Sequence, residues 1–207
     1  MSKPSRKAWS FGIQMVAWLR DNKTRGMRFS SDNNAHGMVC SSDASNNPDK
    51  KDGCCQHCHA LQFCGGTISY ASAKLTLKGW GSPAVEFMAL RHAAAKIMKF
   101  RTLIAELGLN SIIAAPTKLY VDNSVAIQWV KTGRITEGNM YMDLSYHQPR
   151  EWEREGFLEV CFVHTHDNPS DLGSKPGGVE EYARFLGVIC GEKPWVLKFP
   201  RQTLLFT

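Results

Sequence analysis

The sequence lacks the features of a membrane or secreted protein. It has no run of about 18 apolar residues, the length that a membrane-spanning helix needs, and no small-residue cleavage site follows its basic, mildly apolar start. The seven cysteines are odd in number and unevenly spread, which disfavours a secreted disulfide framework. Internal repeats and long low-complexity tracts are also missing. We therefore expect an intracellular protein with no membrane partner.

Positive charge is in excess over negative charge. Lys and Arg number 25 against 19 Asp and Glu, a formal net charge of +6 over 207 residues. Because each phosphate that a basic side chain neutralises releases counterions, this balance suits a polyanionic partner such as nucleic acid. Many basic proteins bind no nucleic acid, so the charge favours this partner class without identifying it.

The spacing of apolar residues predicts an α/β domain. Its clearest element is a helix over 82–108, in which Ser82 can cap the start and Gly108 can end the helix. The other predicted elements are strands at 38–43, 59–63, 67–75, 118–122 and 157–164, helices at 124–131, 142–154 and 179–189, a loop at 44–53, and a helix with a short strand within 8–29. We expect a five-stranded mixed sheet, with three antiparallel strands followed by parallel ones, flanked by helices.

Four acidic residues occupy positions that single them out. Asp43 and Asp122 end predicted strands, Glu86 lies on the apolar face of the long helix in its first turn, and Asp171 opens the last helical segment. Acids at the C-terminal edge of strands lie where open α/β sheets place their ligands. A carboxylate on a buried face is costly unless it is paired or bound to a metal ion.

A hard divalent cation would relieve the repulsion among such carboxylates. Oxygen ligands without an accompanying obligate Cys or His favour Mg²⁺ or Mn²⁺. Two such ions about 4 Å apart can clamp a phosphodiester, one activating a water and the other stabilising the departing oxygen. We therefore predict a two-ion site in which Asp43, Glu86, Asp122 and Asp171 are both the metal ligands and the catalytic residues. Taken singly, each acid is also compatible with a turn, a cap or a favourable first-turn charge.

Short motifs follow one another in a recognisable order. They are SSDAS with Asp43, GGTISY from Gly65, GSPAVEFMAL with Glu86, VDNSVA with Asp122, SYHQPRE, and SDLGSKP with Asp171 and Lys175. Over about residues 12–190 this order resembles the ribonuclease H region of copia-type long-terminal-repeat retrotransposon polyproteins. The resemblance implies a ribonuclease H-like fold whose metal-binding acids are the same four residues. The segment WLRDNKTRGMRFSS resembles the end of the preceding reverse transcriptase portion.

The resemblance also implies a function and a domain division. The implied enzyme is a ribonuclease H that hydrolyses the RNA strand of RNA–DNA hybrids during reverse transcription. The implied regions are the tail end of a reverse transcriptase-like region (1–36), a ribonuclease H-like domain (37–190) and a C-terminal extension of unknown role (191–207). The implied partners are an RNA–DNA hybrid and the reverse transcriptase portion of the same polyprotein, of which we expect the chain to be a piece. The implied location is the cytoplasm, in a virus-like particle, with the nucleus as the alternative.

Other residues are candidates for supporting roles. His164 and His166 stand shortly before Asp171, where cellular ribonucleases H place a mobile histidine that assists proton transfer or product release, so they are auxiliary candidates. The candidate substrate-binding residues are Ser45, Asn123, Ser124 and Lys175, of which Asn123 and Ser124 are close enough to Asp122 to reach the RNA sugar. A basic side of the long helix and the turn before it provides either phosphate contacts or a solvated face, and comprises Lys74, Lys78, Arg91, Lys96, Lys99 and Arg101.

A segment rich in Cys and His raises the question of zinc. Cys55-x-x-Cys58 has ligand spacing, and Cys54, His57, His59 and Cys64 lie nearby. A second Cys-x-x-Cys pair at knuckle distance is missing, and the segment also reads as a hairpin strand. We therefore expect reduced, partly buried cysteines rather than a structural zinc ion.

Three alternatives stay open at this stage. A decayed element could keep the fold as a catalytically inactive nucleic-acid-binding or interaction module, which would agree with Ser45 standing where the family has a second acid. A transposase or integrase of the same fold is disfavoured, because its Glu comes last in chain order rather than second. A zinc-stabilised interaction protein is the third. Cleavage of a hybrid with Mg²⁺ that is lost in Asp122→Asn would separate the enzyme from the inactive module.

Overall fold

The computed structural model describes residues 5–30, 37–46, 54–78, 81–142, 144–175 and 178–197. Six helices and five strands are defined there. They are α1 (Arg6–Asp21), β1 (Met38–Ser45), β2 (Cys54–Phe63), β3 (Gly66–Lys78), α2 (Ser82–Glu106), β4 (Thr117–Val121), α3 (Ser124–Thr132), α4 (Gln148–Arg154), β5 (Leu158–Phe162), α5 (Asp171–Ser174) and α6 (Val179–Ile189). None of the helices in these ranges is both long enough and apolar enough to span a bilayer.

The five strands form one mixed sheet in the order β3-β2-β1-β4-β5. β1 pairs with β2 and β2 with β3 in antiparallel fashion, whereas β1 with β4 and β4 with β5 are parallel. Short connections join β1 to β2 and β2 to β3, as antiparallel neighbours allow, whereas the parallel strands β4 and β5 are joined by a crossover that contains α3 and α4. The predicted fold class, a five-stranded mixed sheet of three antiparallel strands and then parallel ones with flanking helices, is confirmed.

The sheet has an apolar face and a polar face, because side chains alternate along each strand. Cys40, Leu61 and Leu119 point to one side, where they join the buried core with α2 and α3. On the other side, Ser41 Oγ lies 2.7 Å from Ser170 Oγ, and Gln62 Nε2 donates to the Val188 carbonyl in α6. We call these sides the α2 face and the α5 face.

The N-terminal ends of α2 and α3 are capped in different ways. The long helix begins at Ser82 with Gly81 as its N-cap, so the prediction that Ser82 caps it is wrong. Pro83 suits the first turn because a backbone N–H there has no partner within the helix. At the start of α3, Asn123 Oδ1 accepts from the backbone N–H groups of Val125 and Ala126 and so caps the helix.

Several predicted elements differ from the structure; β2, for example, begins at Cys54 rather than at residue 59. The chain after α1 forms no sheet strand over 22–30; Arg28 N–H donates to the Cys190 carbonyl, and Ser30 N–H donates to that of Cys64. The helix predicted over 142–154 begins only at Gln148, since Pro149 favours a first turn, and a 3-10 turn precedes it. The predicted loop over 44–53 loses its first two residues to β1, and 47–53 lie outside the described residues.

The two ends of the chain behave differently. Helix α1 has no buried residue, and its apolar side chains are exposed, Met15 by 67%. Trp18 nevertheless meets the Tyr182 ring of α6 edge-on. In the predicted C-terminal extension, Trp195 packs against Tyr120 on the α5 face and donates to the Asp167 carbonyl. The predicted domain limits stay a prediction.

Candidate metal centre

Two of the predicted acids are brought together by neighbouring parallel strands. Asp43 lies near the end of β1, and Asp122 directly follows β4. Because β1 and β4 run in the same direction side by side, their carboxyl ends share one edge of the sheet. Asp171 is the first residue of α5, and Ser170 just before it contacts Ser41 of β1. Three distant parts of the chain thus meet at this edge.

The three aspartates form a compact group of oxygen ligands. One carboxylate oxygen from each of Asp43, Asp122 and Asp171 lies within 4.8 Å of the others. Asp43 and Asp171 are buried, whereas Asp122 is half-buried. The group is therefore largely withdrawn from water, with Asp122 on the more open side.

Glu86 reaches the same region from the other side of β1. It is 6% exposed as the fifth residue of α2, just beyond the predicted first turn, and the Ala44 backbone N–H bonds to its carboxylate. Its Oε2 is buried and has no hydrogen-bond partner. An unsatisfied buried carboxylate oxygen is costly, and the buried oxygen is therefore a natural position for a cation contact.

The ionisation of the group is strongly perturbed. Burial first, and then repulsion from Asp122 and Asp171, raises the pKa of Asp43 to about 8. Burial, followed by repulsion from Asp43 and Asp122, raises the pKa of Glu86 well above its ordinary value. Burial also raises the pKa of Asp171, although Lys175 opposes this. Because these carboxylates cannot all be charged at low cost without positive charge nearby, the donor set fits hard divalent cations.

Neighbouring hydroxyl groups hold the aspartates in place. Ser174 Oγ donates a hydrogen bond to Asp43 Oδ2, and Thr165 Oγ1 donates to Asp122 Oδ2 at 2.7 Å. Neither residue was singled out from the sequence, because hydroxyl residues near an acid in a loop are too common to be informative. We assign both as positioning residues, since each fixes an oxygen of a predicted ligand.

The predicted auxiliary histidines lie on the turn that carries Thr165. His164 and His166 are exposed, their rings stack with centroids 5.3 Å apart, and His164 Nδ1 accepts from the His166 backbone N–H. Because Thr165 contacts Asp122, this turn adjoins the site. Their auxiliary role stays a prediction.

The predicted substrate-binding residues flank the same sheet edge. Ser45 is half-buried at the end of β1, and Ser124 is exposed as the first residue of α3. Asn123 uses its side-chain oxygen as the α3 cap, which leaves its amide nitrogen for any contact with substrate. Lys175 Nζ lies 2.9 Å from Asp171 Oδ1. Binding of substrate by these four residues stays a prediction.

Arg101 does not belong to an outer basic side. It is 7% exposed and donates to the carbonyls of Ile113 and Ala115 and to Thr117 Oγ1. It fastens α2 to the chain that enters β4, so its predicted place on the basic side of the helix, as a phosphate contact or as part of a solvated face, is wrong. Lys74, Lys96 and Lys99 are exposed.

The Cys/His-rich segment is an extended strand, and this separates the candidate zinc ligands. Cys55 belongs to the core on the α2 face, whereas Cys58 lies against Gly173 on the α5 face. His57 stacks on His92 with ring centroids 4.8 Å apart. Among the described residues, the group in which at least three ligand atoms of Asp, Glu, His or Cys lie within 4.8 Å of one another is that of the three aspartates, and it includes none of these cysteines or histidines.

No protein-family model matches the sequence. The chain is 25% identical, over 117 residues that make up 56% of it, to the retrovirus-related Pol polyprotein from transposon TNT 1-94 of Nicotiana tabacum. The match covers 9% of that polyprotein, so the chain spans less than a tenth of this relative.

Solved ribonucleases H are among the similar structures. LC11-RNase H1 in complex with an RNA/DNA hybrid gives a TM-score of 0.48 at 11% identity, covering 66% of this chain and 92% of that one. RNase H1 from the halophilic archaeon Halobacterium salinarum NRC-1 gives a TM-score of 0.42 at 14% identity, covering 66% and 93%.

Proposed function

We propose that this chain is a metal-dependent ribonuclease H that cuts the RNA strand of RNA–DNA hybrids. The observation that carries the proposal is the meeting of Asp43, Asp122 and Asp171 at one sheet edge, with the buried Glu86 beside them. Elements far apart in sequence supply these acids, so local folding alone does not explain their meeting. The similarity to a retrovirus-related Pol polyprotein supports the same function at a general level.

The four acids would hold Mg²⁺ or Mn²⁺, two ions in this proposal. When bound, such ions supply Lewis acidity, an activated water and charge stabilisation for the leaving oxygen. The chain's own contribution is preorganisation. Thr165 fixes one oxygen of Asp122, and Ser174 fixes one oxygen of Asp43. The apolar core behind β1 shields Glu86 from water. A ligand that is fixed in advance loses little conformational entropy when the site assembles.

We propose supporting roles for residues at the rim. His164 and His166 are exposed next to Thr165 and are suited to move a proton to or from the reacting groups. Asn123, Ser124 and Ser45 would contact the hybrid, with Asn123 donating from its amide nitrogen. Lys175 would meet a phosphate when its contact with Asp171 is given up.

We further propose that the chain works as part of a retrotransposon polyprotein, in the cytoplasm and within a virus-like particle. Its partner there would be the reverse transcriptase portion, against which the exposed apolar side of α1 would pack. Val16 and Leu19 on that side are 65% and 60% exposed, more than an isolated soluble domain needs to leave open. In a version extended by the reverse transcriptase portion, Leu19→Lys should increase hydrogen exchange in α1, and unchanged exchange would contradict this contact.

Hybrid cleavage tests the proposed function. A labelled RNA–DNA hybrid should be cut with Mg²⁺, leaving 5′-phosphate and 3′-hydroxyl ends, and Asp122→Asn should reduce the rate by about 100-fold or more. The matched control is Glu159→Gln, an exposed acid of β5 on the neighbouring strand, which should cleave at the wild-type rate. If the wild-type chain binds the hybrid without cutting it, the proposal fails in favour of an inactive binding module.

A further inference from the structure

Lys175 occupies an unusual position for a surface lysine. Its Nζ lies 2.9 Å from Asp171 Oδ1, although 41% of its side chain is exposed. The backbone at Lys175 is extended with φ −144° and ψ 157°, so α5 ends there. From that point the side chain turns back to the first residue of α5, so that the ammonium contacts Asp171 while part of the side chain remains exposed.

The charge of Lys175 acts on the whole acidic group. It opposes the rise in pKa of Asp43, Glu86 and Asp171. In return, the carboxylates of Asp171, Asp43 and Asp122 raise the pKa of Lys175. The pocket therefore contains a built-in cation on a flexible four-carbon stem. An ammonium group is a compact point charge that can be displaced, unlike the rigid planar guanidinium of Arg.

We propose that Lys175 is a tethered counter-cation that competes with a divalent metal ion for Asp171 and so raises the metal concentration that the site requires. This inference rests on the proposed function, because it takes the acidic group to be a metal site. An ion bound by Asp171 meets the Lys175 ammonium at close range, and the two like charges repel. Either the ammonium leaves its 2.9 Å contact, or the ion binds more weakly.

The competition also explains how an acidic pocket can fold before metal is present. The ammonium offsets part of the carboxylate repulsion in the metal-free chain, and it becomes available to a phosphate once an ion replaces it. Removing Lys175 should therefore have two opposite effects: tighter metal binding and a less stable metal-free chain.

Binding of Mn²⁺ without nucleic acid tests the inference. Electron paramagnetic resonance of the free ion gives the affinity for wild type, Lys175→Gln, Lys175→Arg and Lys99→Gln. We expect Lys175→Gln to bind Mn²⁺ at least roughly ten-fold more tightly, because removing one positive charge about 4 Å from a divalent ion gains about that much even at the dielectric constant of water. Lys175→Arg, which keeps the charge in a group that is harder to displace, should bind Mn²⁺ no more tightly than wild type. Lys99→Gln removes an equal charge from an exposed position on α2 and should change nothing.

Equal or weaker Mn²⁺ binding by Lys175→Gln overturns the inference, as does failure of all variants to bind Mn²⁺. Thermal melting in EDTA provides a second readout, in which Lys175→Gln should melt below wild type; a higher melting temperature would also contradict the competition. Failure of this inference can be distinguished from failure of the proposed ribonuclease function. Tighter Mn²⁺ binding without any cleavage keeps the counter-cation and rejects the ribonuclease, whereas cleavage with unchanged Mn²⁺ affinity does the reverse.

Discussion

The two faces of the sheet place neighbouring residues of the same strands in opposite environments. On the α2 face, Cys40, Leu61 and Leu119 are fully buried among apolar side chains. On the α5 face, Ser41 and Asp43 from β1 face hydroxyl groups and carboxylates from the chain around α5. The α2 face therefore stabilises the fold, whereas the carboxylates gathered on the α5 face reduce that stability. A one-residue alternation separates the two tasks.

The largest effect should come from damaging the α2 face. Leu119→Ala removes a fully buried side chain from β4 and should lower the free energy of unfolding by about 2–5 kcal/mol, because a cavity is left in a packed core. Urea denaturation measures this, with Ile135→Ala, an exposed aliphatic, as the control. Cleavage per folded molecule should stay near that of wild type. A loss below about 1 kcal/mol would mean that the core lies elsewhere.

On the α5 face, replacing a carboxyl group that must stay protonated in the folded state should stabilise the metal-free chain. Folded Asp43 keeps its proton up to about pH 8, whereas an ordinary Asp loses it near 3.8, so the folded chain binds more protons between these values. The free energy of unfolding therefore falls as pH rises through this window. At pH 7.5 in EDTA, Asp43→Asn should be more stable than wild type by about 1–3 kcal/mol.

Saturating Mg²⁺ should reverse this order, because wild type then gains the binding energy of the ion. Urea denaturation with and without Mg²⁺ measures both states. If Asp43→Asn is less stable than wild type in EDTA, the carboxylates do not repel one another as described.

Close packing of α5 on the sheet is the next feature to break. A Cβ at Gly173 would collide with Cys58 Sγ of β2 and the Tyr70 hydroxyl of β3. Gly173→Ala should lower the free energy of unfolding by about 1–2 kcal/mol. It should also slow cleavage roughly 10–100-fold, because Asp171 shifts with α5. Adding Cys58→Ala makes room and should restore part of both losses; no restoration would show that the collision is not the cause.

The smallest effect should be a pH dependence that belongs to the α2 face. Burial first, and then the charge of His92, lowers the pKa of His57 to about 4, and burial followed by Lys96 does the same for His59. An unfolded His takes up its proton near 6.5, so the unfolded chain binds more protons between 6.5 and 4. The free energy of unfolding therefore falls as pH drops through this window, opposite in direction to the effect of Asp43.

His57→Asn should make that acid-side decline shallower, measured by urea denaturation at pH 7, 5.5 and 4.5. His166→Gln, at an exposed position, is the matched control and should leave the slope unchanged. An identical slope in His57→Asn and wild type would contradict the burial of a neutral imidazole.

Much of the fold was predictable because its periodic elements are long. The apolar period placed α2 within two residues of its observed end and α6 at its observed bounds. Glu86 stood out since an acid on an apolar stripe conflicts with its surroundings. The separation of Cys55 from Cys58 could also have been foreseen, because strand alternation puts residues three apart on opposite faces.

Other features depend on contacts that no local pattern encodes. Arg101 has the spacing of a solvated helix residue, yet it is buried because the chain entering β4 offers it three acceptors. The segment after α1 has strand-like composition but bonds to loop carbonyls at Cys64 and Cys190 instead of a strand. Thr165 and Ser174 become recognisable as positioning residues only when the partner acids are located in space.

Paramagnetic broadening by Mn²⁺ tests the central claim most directly, namely that the acids on the α5 face and Glu86 bind metal as one site. In a ¹⁵N–¹H spectrum titrated with substoichiometric Mn²⁺, the amides of Ala44, Asn123 and Leu172 should broaden first and together. The amide of Leu103, about 25 Å along α2 from Glu86, should keep most of its intensity. Broadening that starts at the Cys/His-rich strand, or that affects these three amides at different Mn²⁺ concentrations, would contradict a shared metal centre.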